Sequence, residues 1–299
     1  NPALDITTST PTVGHTEKLR CAAPRYDPGG GGINVAHVAE VLGSPATAVF
    51  PAGGPAGEVV HDLMVAEGLA VRRVRIGGST RESFTVNEHS TGRQYRFVLP
   101  GPQLTVAEQT ECLLQLRRAV SDSVIVVASG SLPPGVPDDF YQQVANVCEE
   151  LGATLLLDTS GGGLRSIGSG VFLLKPSIRE LRECVDRALA TEAEQVAAAR
   201  EIIDRGVARH LLVSVGARGA LLVSADRAQR FAAVPVPPGG SGVGAGDAMV
   251  AGVAVGMIRG WPLDRAVRLG VAAGSATLLT PGTAPCTRAD TERLFGQTE

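Results

Sequence analysis

Apolar positions along the chain follow two different rhythms. From about residue 122 onward, short unbroken apolar runs alternate with stretches of helical spacing. The runs are Val124-Ile125-Val126-Val127-Ala128, Thr154-Leu155-Leu156-Leu157-Asp158, Phe172-Leu173-Leu174-Lys175 and His210-Leu211-Leu212-Val213-Ser214. Helices are predicted between them, near residues 137–151 and, most clearly, over 192–205. Strands that do not alternate, and that are separated by helices, form a parallel sheet covered on both faces. Ligands of such sheets collect at the carboxyl ends of the strands. Asp158, Lys175 and Ser214 stand at those ends.

Two segments break this rhythm. Ser83-Phe84-Thr85-Val86-Asn87 alternates with period two, Ser90-Thr91-Gly92 supplies a turn, and Gln94-Tyr95-Arg96-Phe97-Val98-Leu99 alternates again. This predicts a hairpin with one apolar face. The stretch Glu17-Lys18-Leu19-Arg20-Cys21 is expected to pair with it. A small antiparallel sheet beside a parallel core reads as a lid over a site, or as an edge hairpin with a structural role only. No internal repeat or low-complexity linker appears.

The densest chemistry lies in Ser241-Gly242-Val243-Gly244-Ala245-Gly246-Asp247, which leads into the apolar stretch from Ala248 to Ala254. A glycine-rich turn opening a helix directs several backbone N–H groups, and the positive end of the helix dipole, at one point, and so binds anions. A carboxylate there would repel phosphate unless its task is to take a proton from the attacking group. The motif therefore reads as an anion hole with a base beside it, as phosphoryl transfer to an alcohol requires. The alternative is an ordinary loop with Asp in the first helical turn, where Asp is favoured anyway.

Composition narrows the classes. At 299 residues the chain can build a large α/β core. Net charge is −3 with no basic block, which argues against nucleic acid. No apolar run is long enough to span a bilayer, and no signal-peptide pattern opens the chain, so a cytoplasmic protein is expected. The chain opens on Asn1-Pro2-Ala3-Leu4-Asp5 without a methionine, so residues upstream of Asn1 are expected. Five scattered cysteines with no CxxC suit reduced thiols rather than a disulfide frame or zinc site. The five histidines show no ligand spacing. Only Lys18 and Lys175 are lysines among 27 basic residues. An ammonium acts on phosphate or hydroxyl oxygens as a compact point charge, which arginine does not replace.

Gly29-Gly30-Gly31-Gly32-Ile33-Asn34-Val35-Ala36 and Val243-Gly244-Ala245-Gly246-Asp247 together resemble the two signatures of the PfkB (ribokinase-like) carbohydrate kinases, over residues 1 to about 291. Within that family the chain looks most like the 6-phosphofructokinases. The marks are Asn1-Pro2-Ala3-Leu4-Asp5, Lys18-Leu19-Arg20-Cys21, Tyr95-Arg96-Phe97-Val98, Ser129-Gly130-Ser131-Leu132-Pro133-Pro134-Gly135 and Gly270-Val271-Ala272-Ala273-Gly274-Ser275. The resemblance implies an α/β fold: a ribokinase-like three-layer sandwich with a mostly parallel central sheet and a small antiparallel β lid. It implies a single kinase domain over 1–299, with lid strands inserted at about 6–25 and 79–99. Asp247 would be the catalytic base, with Gly244, Ala245 and Gly246 as the anion hole. Asp5, Gly30, Gly31, Asn34 and Ser131 would hold the sugar, and Lys18 would reach it from the lid. Arg81 would bind the phosphate already on the sugar, helped by Arg96 or by the partner subunit's Arg20. Lys175, Ser177, Ser214, Gly216, Gly219, Gly242, Val243, Gly244 and Ser275 would line the nucleotide site. Glu180 would organise Mg²⁺ through water.

The implied reaction is ATP-dependent phosphorylation of fructose 6-phosphate at its C1 hydroxyl, with Mg²⁺ and a monovalent cation such as K⁺ as candidate cofactors. A homodimer joined through the lids is implied, with no nucleic-acid or membrane partner. The same chemistry on tagatose 6-phosphate or fructose 1-phosphate is the nearest alternative. A weakly active sugar-phosphate or nucleotide-binding module is the alternative of another class. The chain departs from the family pattern at Ser177, where Asn is usual, and at Gly242, where Thr is common. Serine offers no amide, which weakens or makes indirect a metal or phosphate contact, and Gly242 removes a hydroxyl and loosens the loop. A dinucleotide oxidoreductase is excluded by the lack of GxGxxG at a first βα turn.

Overall fold

In a computed structural model, which describes residues 1–15, 18–120, 125–237, 242–282 and 284–298, the chain begins with β1 (Ala3–Thr10), β2 (Arg25–Gly29), α1 (Gly31–Val41), β3 (Thr47–Ala52), α2 (Gly54–Ala66) and β4 (Ala70–Arg75). The hairpin strands β5 (Arg81–Glu88) and β6 (Gln94–Val98) follow, then α3 (Val106–Val120). Next come β7 (Ile125–Ser129), α4 (Phe140–Glu150), β8 (Thr154–Asp158), α5 (Gly161–Arg165), β9 (Val171–Leu174), α6 (Ile178–Val185), α7 (Glu192–Asp204) and β10 (Ala208–Ser214). The chain closes with β11 (Ala220–Val223), β12 (Ala228–Phe231), α8 (Ala245–Ile258), α9 (Leu263–Thr277) and α10 (Arg288–Phe295).

The central sheet runs in the order β12-β11-β10-β9-β8-β7, with β7 to β10 parallel and β11 and β12 antiparallel. Its strands are apolar on both faces because both are covered. Leu156, Leu173, Leu212 and Leu222 pack with α8 and α9 on one side. Leu155, Leu157, Leu174, Leu211 and Val213 pack on the other with residues of α4, α6 and α7. This is the expected three-layer arrangement. α8 is apolar all round and buries every residue from Ala248 to Gly256, as a helix enclosed in a core must. Its approach to α9 needs glycine: a Cβ on Gly252 would lie 2.7 Å from Gly270 Cα. β3 and β4 pair in parallel beside α1 and α2 around Phe50, Val60 and Met64.

The lid is a four-stranded sheet in the order β2-β1-β5-β6. Two antiparallel pairs, β1–β2 and β5–β6, are joined by a parallel β1–β5 pairing. The expected partner of the hairpin needs correction. Glu17 lies outside the described residues, and residues 18–21 form no strand. The segment hangs from the opposite edge of β1, where Ala22 N donates to Ser9 O at 2.9 Å and Thr8 Oγ1 donates to Ala22 O at 2.9 Å. β1 itself fills the place beside β5. Among the described residues no helix is long and apolar enough to cross a membrane.

Candidate active site

The site gathers where three elements end or begin. α8 starts at Gly244, whose φ of 78° is left-handed and suits glycine, so that Ala245, Gly246 and Asp247 form the first helical turn. First-turn N–H groups have no carbonyl within the helix to bond, which leaves that end open to an anion; the N–H of Ala245 also reaches back to Gly242 O at 3.4 Å. Asp247 is held from two sides. Asn34 Nδ2, on α1, donates to its Oδ2 at 2.9 Å, and Ser129 Oγ, at the end of β7, donates to its Oδ1 at 3.1 Å. Burial pushes the carboxyl above the ordinary carboxylate range, against the pull of Asn34, Lys175 and Ser129, while Asp5 adds to the push. A buried carboxylate with raised proton affinity is suited to accept a proton.

The expected strand-end residues assemble here. Asp158 closes β8 and Lys175 follows β9, with Nζ and Oδ2 3.0 Å apart. Asp158 is held at about 6, raised chiefly by burial and also by the charges of Asp247 and Glu180, and lowered by Lys175. A Cβ on Gly246 would lie 3.4 Å from Lys175 Nζ, so the ammonium sits against the first turn of α8. Ser177 and Glu180 form a capping box at α6: Ser177 N and Oγ both donate to Glu180 Oε2 at 2.7 Å, and Glu180 N donates to Ser177 Oγ at 3.2 Å. The serine that departs from the family pattern therefore orients Glu180. Ser214 ends β10, and its N–H donates to Pro176 O at 2.9 Å.

Several expected nucleotide residues also have a task within the chain. Gly219 is glycine because β12 passes close: a Cβ would lie 2.0 Å from Phe231 O. Ser275 is buried, and its Oγ accepts from Val234 N at 3.3 Å. Gly216, at φ 61°, has open space around it, and a Cβ on exposed Gly242 would meet only Leu278 Cδ2, at 3.9 Å. Val243 precedes the Gly244 cap, and Ser241 lies outside the described residues.

On the sugar side, Gly30 has φ 120° and precedes α1, and Gly31 opens that helix. Asp5, on β1, lies against Gly29 and is pushed up to about 6 by burial, with Arg96 and Arg81 opposing and Asp27 adding. Arg81 is tied to main chain, donating to Asn1 O at 3.1 Å, Leu99 O at 3.2 Å and Pro2 O at 3.4 Å. Arg81 and Ser131 line a cleft of about 680 Å³ together with Leu99, Pro134, Asp138 and Gly162. Ser131 Oγ accepts from Asn1 Nδ2 at 3.2 Å. Arg96, Lys18 and Arg20 are exposed. Among the described residues no group of three or more His, Cys, Asp or Glu stands close enough to hold a metal directly.

Two residues escaped the sequence reading as site members. Ser129 lay inside a quoted motif but was given no role, and Asp158 was placed only at a strand end. The position of Asp158 after an apolar run was the available signal. The contact of Ser129 with Asp247, 118 positions away, had none.

Comparison with known proteins bears on the whole chain. The model of the pfkB family carbohydrate kinases matches residues 2–290. ATP-dependent 6-phosphofructokinase isozyme 2 of Mycobacterium tuberculosis is 61% identical over 295 residues, covering 99% of this chain and 87% of the relative. Phosphofructokinase-2 from Escherichia coli, solved in complex with fructose-6-phosphate, superposes with TM-score 0.92 at 37% identity, covering 99% of this chain and 96% of that one. The same E. coli protein has been solved in complex with potassium, at TM-score 0.93 and 39% identity, and as a tetrameric inhibited form, at TM-score 0.92 and 38% identity, each again covering 99% and 96%. With the family model matched over residues 2–290, this chain belongs to the pfkB family of carbohydrate kinases.

Proposed function

We propose that the chain is an ATP-dependent 6-phosphofructokinase. It transfers the γ-phosphoryl group of ATP to the C1 hydroxyl of fructose 6-phosphate, giving fructose 1,6-bisphosphate and ADP. The observation that carries this reading is the Asp247 carboxylate, held by Asn34 and Ser129 in the first turn of α8 beside Lys175. Asp247 takes the proton as the C1 oxygen attacks the γ-phosphorus, and the bond from that phosphorus to the ADP oxygen breaks. Negative charge on the transferring group meets the anion hole of Gly244, Ala245 and Gly246 at the start of α8 and the Lys175 ammonium. Arg81 and Ser131, on the cleft wall, take the sugar phosphate, and Asp5 takes a sugar hydroxyl. Lys18 and Arg20 approach from the lid.

Mg²⁺ fits the donor set in one way. Among the described residues the carboxylates are too dispersed for a direct protein cage, which suits an ion that keeps its waters and binds mainly phosphate oxygens. Glu180 would hold one of those waters through Oε1, since Oε2 is committed to the Ser177 cap. When bound, the ion supplies positive charge to the phosphoryl oxygens. Support for a monovalent cation is the potassium complex of the E. coli relative, and its measurement is activity against potassium at constant ionic strength. ATP and five free cysteines suit the cytoplasm.

A homodimer through the lids is supported by one face of that sheet. Register places Tyr26, Ile6, Phe84 and Phe97 side by side across the four strands. Tyr26 and Phe97 are 47% and 56% exposed.

The activity is tested with purified protein, ATP and a panel of fructose 6-phosphate, tagatose 6-phosphate and fructose 1-phosphate, reading ADP release. Fructose 6-phosphate is expected to give the highest kcat/KM. A higher value for either other sugar overturns the assignment of substrate, and no sugar-dependent ADP release overturns the kinase.

A further inference from the structure

Both oxygens of Asp247 are engaged, but the two donors differ in kind. Asn34 comes from α1, whose glycine-rich entry is already assigned to the sugar. Ser129 ends a strand of the central sheet and is assigned to neither substrate. Its turn is held firmly. Gly130, at φ 113°, donates its N–H to Asp158 O at 2.9 Å, and its carbonyl accepts from Tyr141 Oη at 2.7 Å and Thr159 Oγ1 at 2.9 Å. Both of those hydroxyl side chains are buried. The space for the Ser129 hydroxyl comes from Gly31, where a Cβ would lie 2.2 Å from Ser129 Oγ. The glycine run before α1 thus makes room for a hydroxyl braced from the sheet.

We propose that Ser129 is a positioning residue for the general base: its hydroxyl, fixed by the Gly130 turn, pins Asp247 Oδ1 so that the remaining lone pairs face the incoming sugar hydroxyl. The inference rests on the reading of Asp247 as base. Each carboxylate oxygen accepts twice, so one donor on each still leaves sites for the proton. The charged groups facing Asp247 are Lys175 from the end of β9, Asp158 from β8 and Asp5 from β1. None of these supplies the donor to Oδ1 that the serine supplies.

The test is Ser129→Ala, alone and combined with Asp247→Asn, with kcat, KM and the pH profile of kcat/KM measured for each. A donor to a charged group is worth enough for about a tenfold fall in kcat. KM for ATP should stay put, and the acidic limb should move to higher pH because the carboxylate has lost a group that favours its charged form. In the Asp247→Asn background, Ser129→Ala should add little, since its partner is already changed. The positioning role is overturned by a raised KM for fructose 6-phosphate with kcat intact, which would make Ser129 a sugar contact. It is equally overturned by an inert Ser129→Ala, or by a full tenfold loss persisting in Asp247→Asn. Near-normal turnover in Asp247→Asn alone overturns the base reading, and the task given to Ser129 falls with it.

Discussion

Lys175 Nζ stands 3.0 Å from Asp158 Oδ2, with the two side chains only 6% and 16% exposed. The pair lies against Gly246, in the turn that would receive the transferring phosphoryl group. Removing one partner of a buried pair leaves the other charge uncompensated, whereas replacing both by apolar groups is often nearly neutral. Lys175→Met is therefore expected to cost about 3–5 kcal/mol in urea unfolding at neutral pH. The double change Lys175→Met with Asp158→Leu should recover much of that stability. ATP affinity should stay low in both if the ammonium meets the nucleotide as proposed. A double variant that regains a normal KM for ATP would remove Lys175 from the nucleotide site.

Asp247→Asn keeps the size of the side chain and removes the proposed base. Asn34 and Ser129 then face an amide in place of the carboxylate they now serve. Ligand binding should persist while kcat falls by about 10²–10⁴, the usual cost of a lost general base. The measurement is kcat beside ATP and sugar-phosphate titrations, and near-normal kcat excludes the role.

Arg81 has two employments. Its guanidinium ties Asn1, Pro2 and Leu99 main chain together, and it lines the cleft beside Ser131. Arg81→Ala should raise KM for fructose 6-phosphate by about 10–100-fold, as loss of a charge-assisted contact does. KM for ATP should change far less. Equal effects on both substrates would mean that the residue only holds the N-terminal strand in place.

These three sites were not equally legible from the chain. Asp247 was readable because its chemistry is local: glycines, a carboxylate and an apolar helix follow one another. The central strands were readable because burial on both faces removes alternation. Long-range pairing left no such mark. Nothing in Glu17-Lys18-Leu19-Arg20-Cys21 shows that β1 takes the place beside β5, since any short alternating segment satisfies a hairpin edge. Ser129 and Asp158 gain their roles from neighbours brought in by the sheet. Gly219 shows the same gap: the passage of Phe231, which is one reason for glycine there, left no mark in the sequence.

Asp5 carries a pH signature of its own. Burial holds its carboxyl at about 6, above the ordinary carboxylate range. The folded chain thus keeps a proton that the unfolded chain releases, so this group's stabilising contribution is complete below the unfolded value and is lost as pH rises through the folded one. Asp158, also held at about 6, adds a slope of the same sign. Asp5→Asn cannot ionise. It should melt higher than the parent at about pH 7 and close to the parent at about pH 4. Melting curves at the two pH values decide it, and a difference that does not grow with pH would mean that Asp5 is not held protonated by its surroundings.

The lid raises the question of what covers its apolar face. Ile6 pairs with Tyr26 on one side and Phe84 on the other, and Phe84 pairs with Phe97, so four apolar side chains cross the sheet in one row. Phe97 and Tyr26 remain 56% and 47% exposed, with Leu99 at 44% nearby. A contiguous exposed apolar patch marks an interaction surface. A two-fold axis lets the patch bury itself against its own copy, and closure of that contact prevents open-ended association. The tetrameric inhibited form of the E. coli relative shows that protein to be capable of a larger assembly, so the stoichiometry of this chain must be measured directly. Phe97→Asp would place a charge without a partner in the centre of such a contact, at a position where a surface substitution costs the fold little. The variant should sediment as a monomer with its core intact by circular dichroism. Its KM for fructose 6-phosphate should rise, because the lids carry Lys18 and Arg20. An unchanged dimer with unchanged KM would refute the lid interface, and a parent chain that is monomeric at micromolar concentration would refute it without the variant.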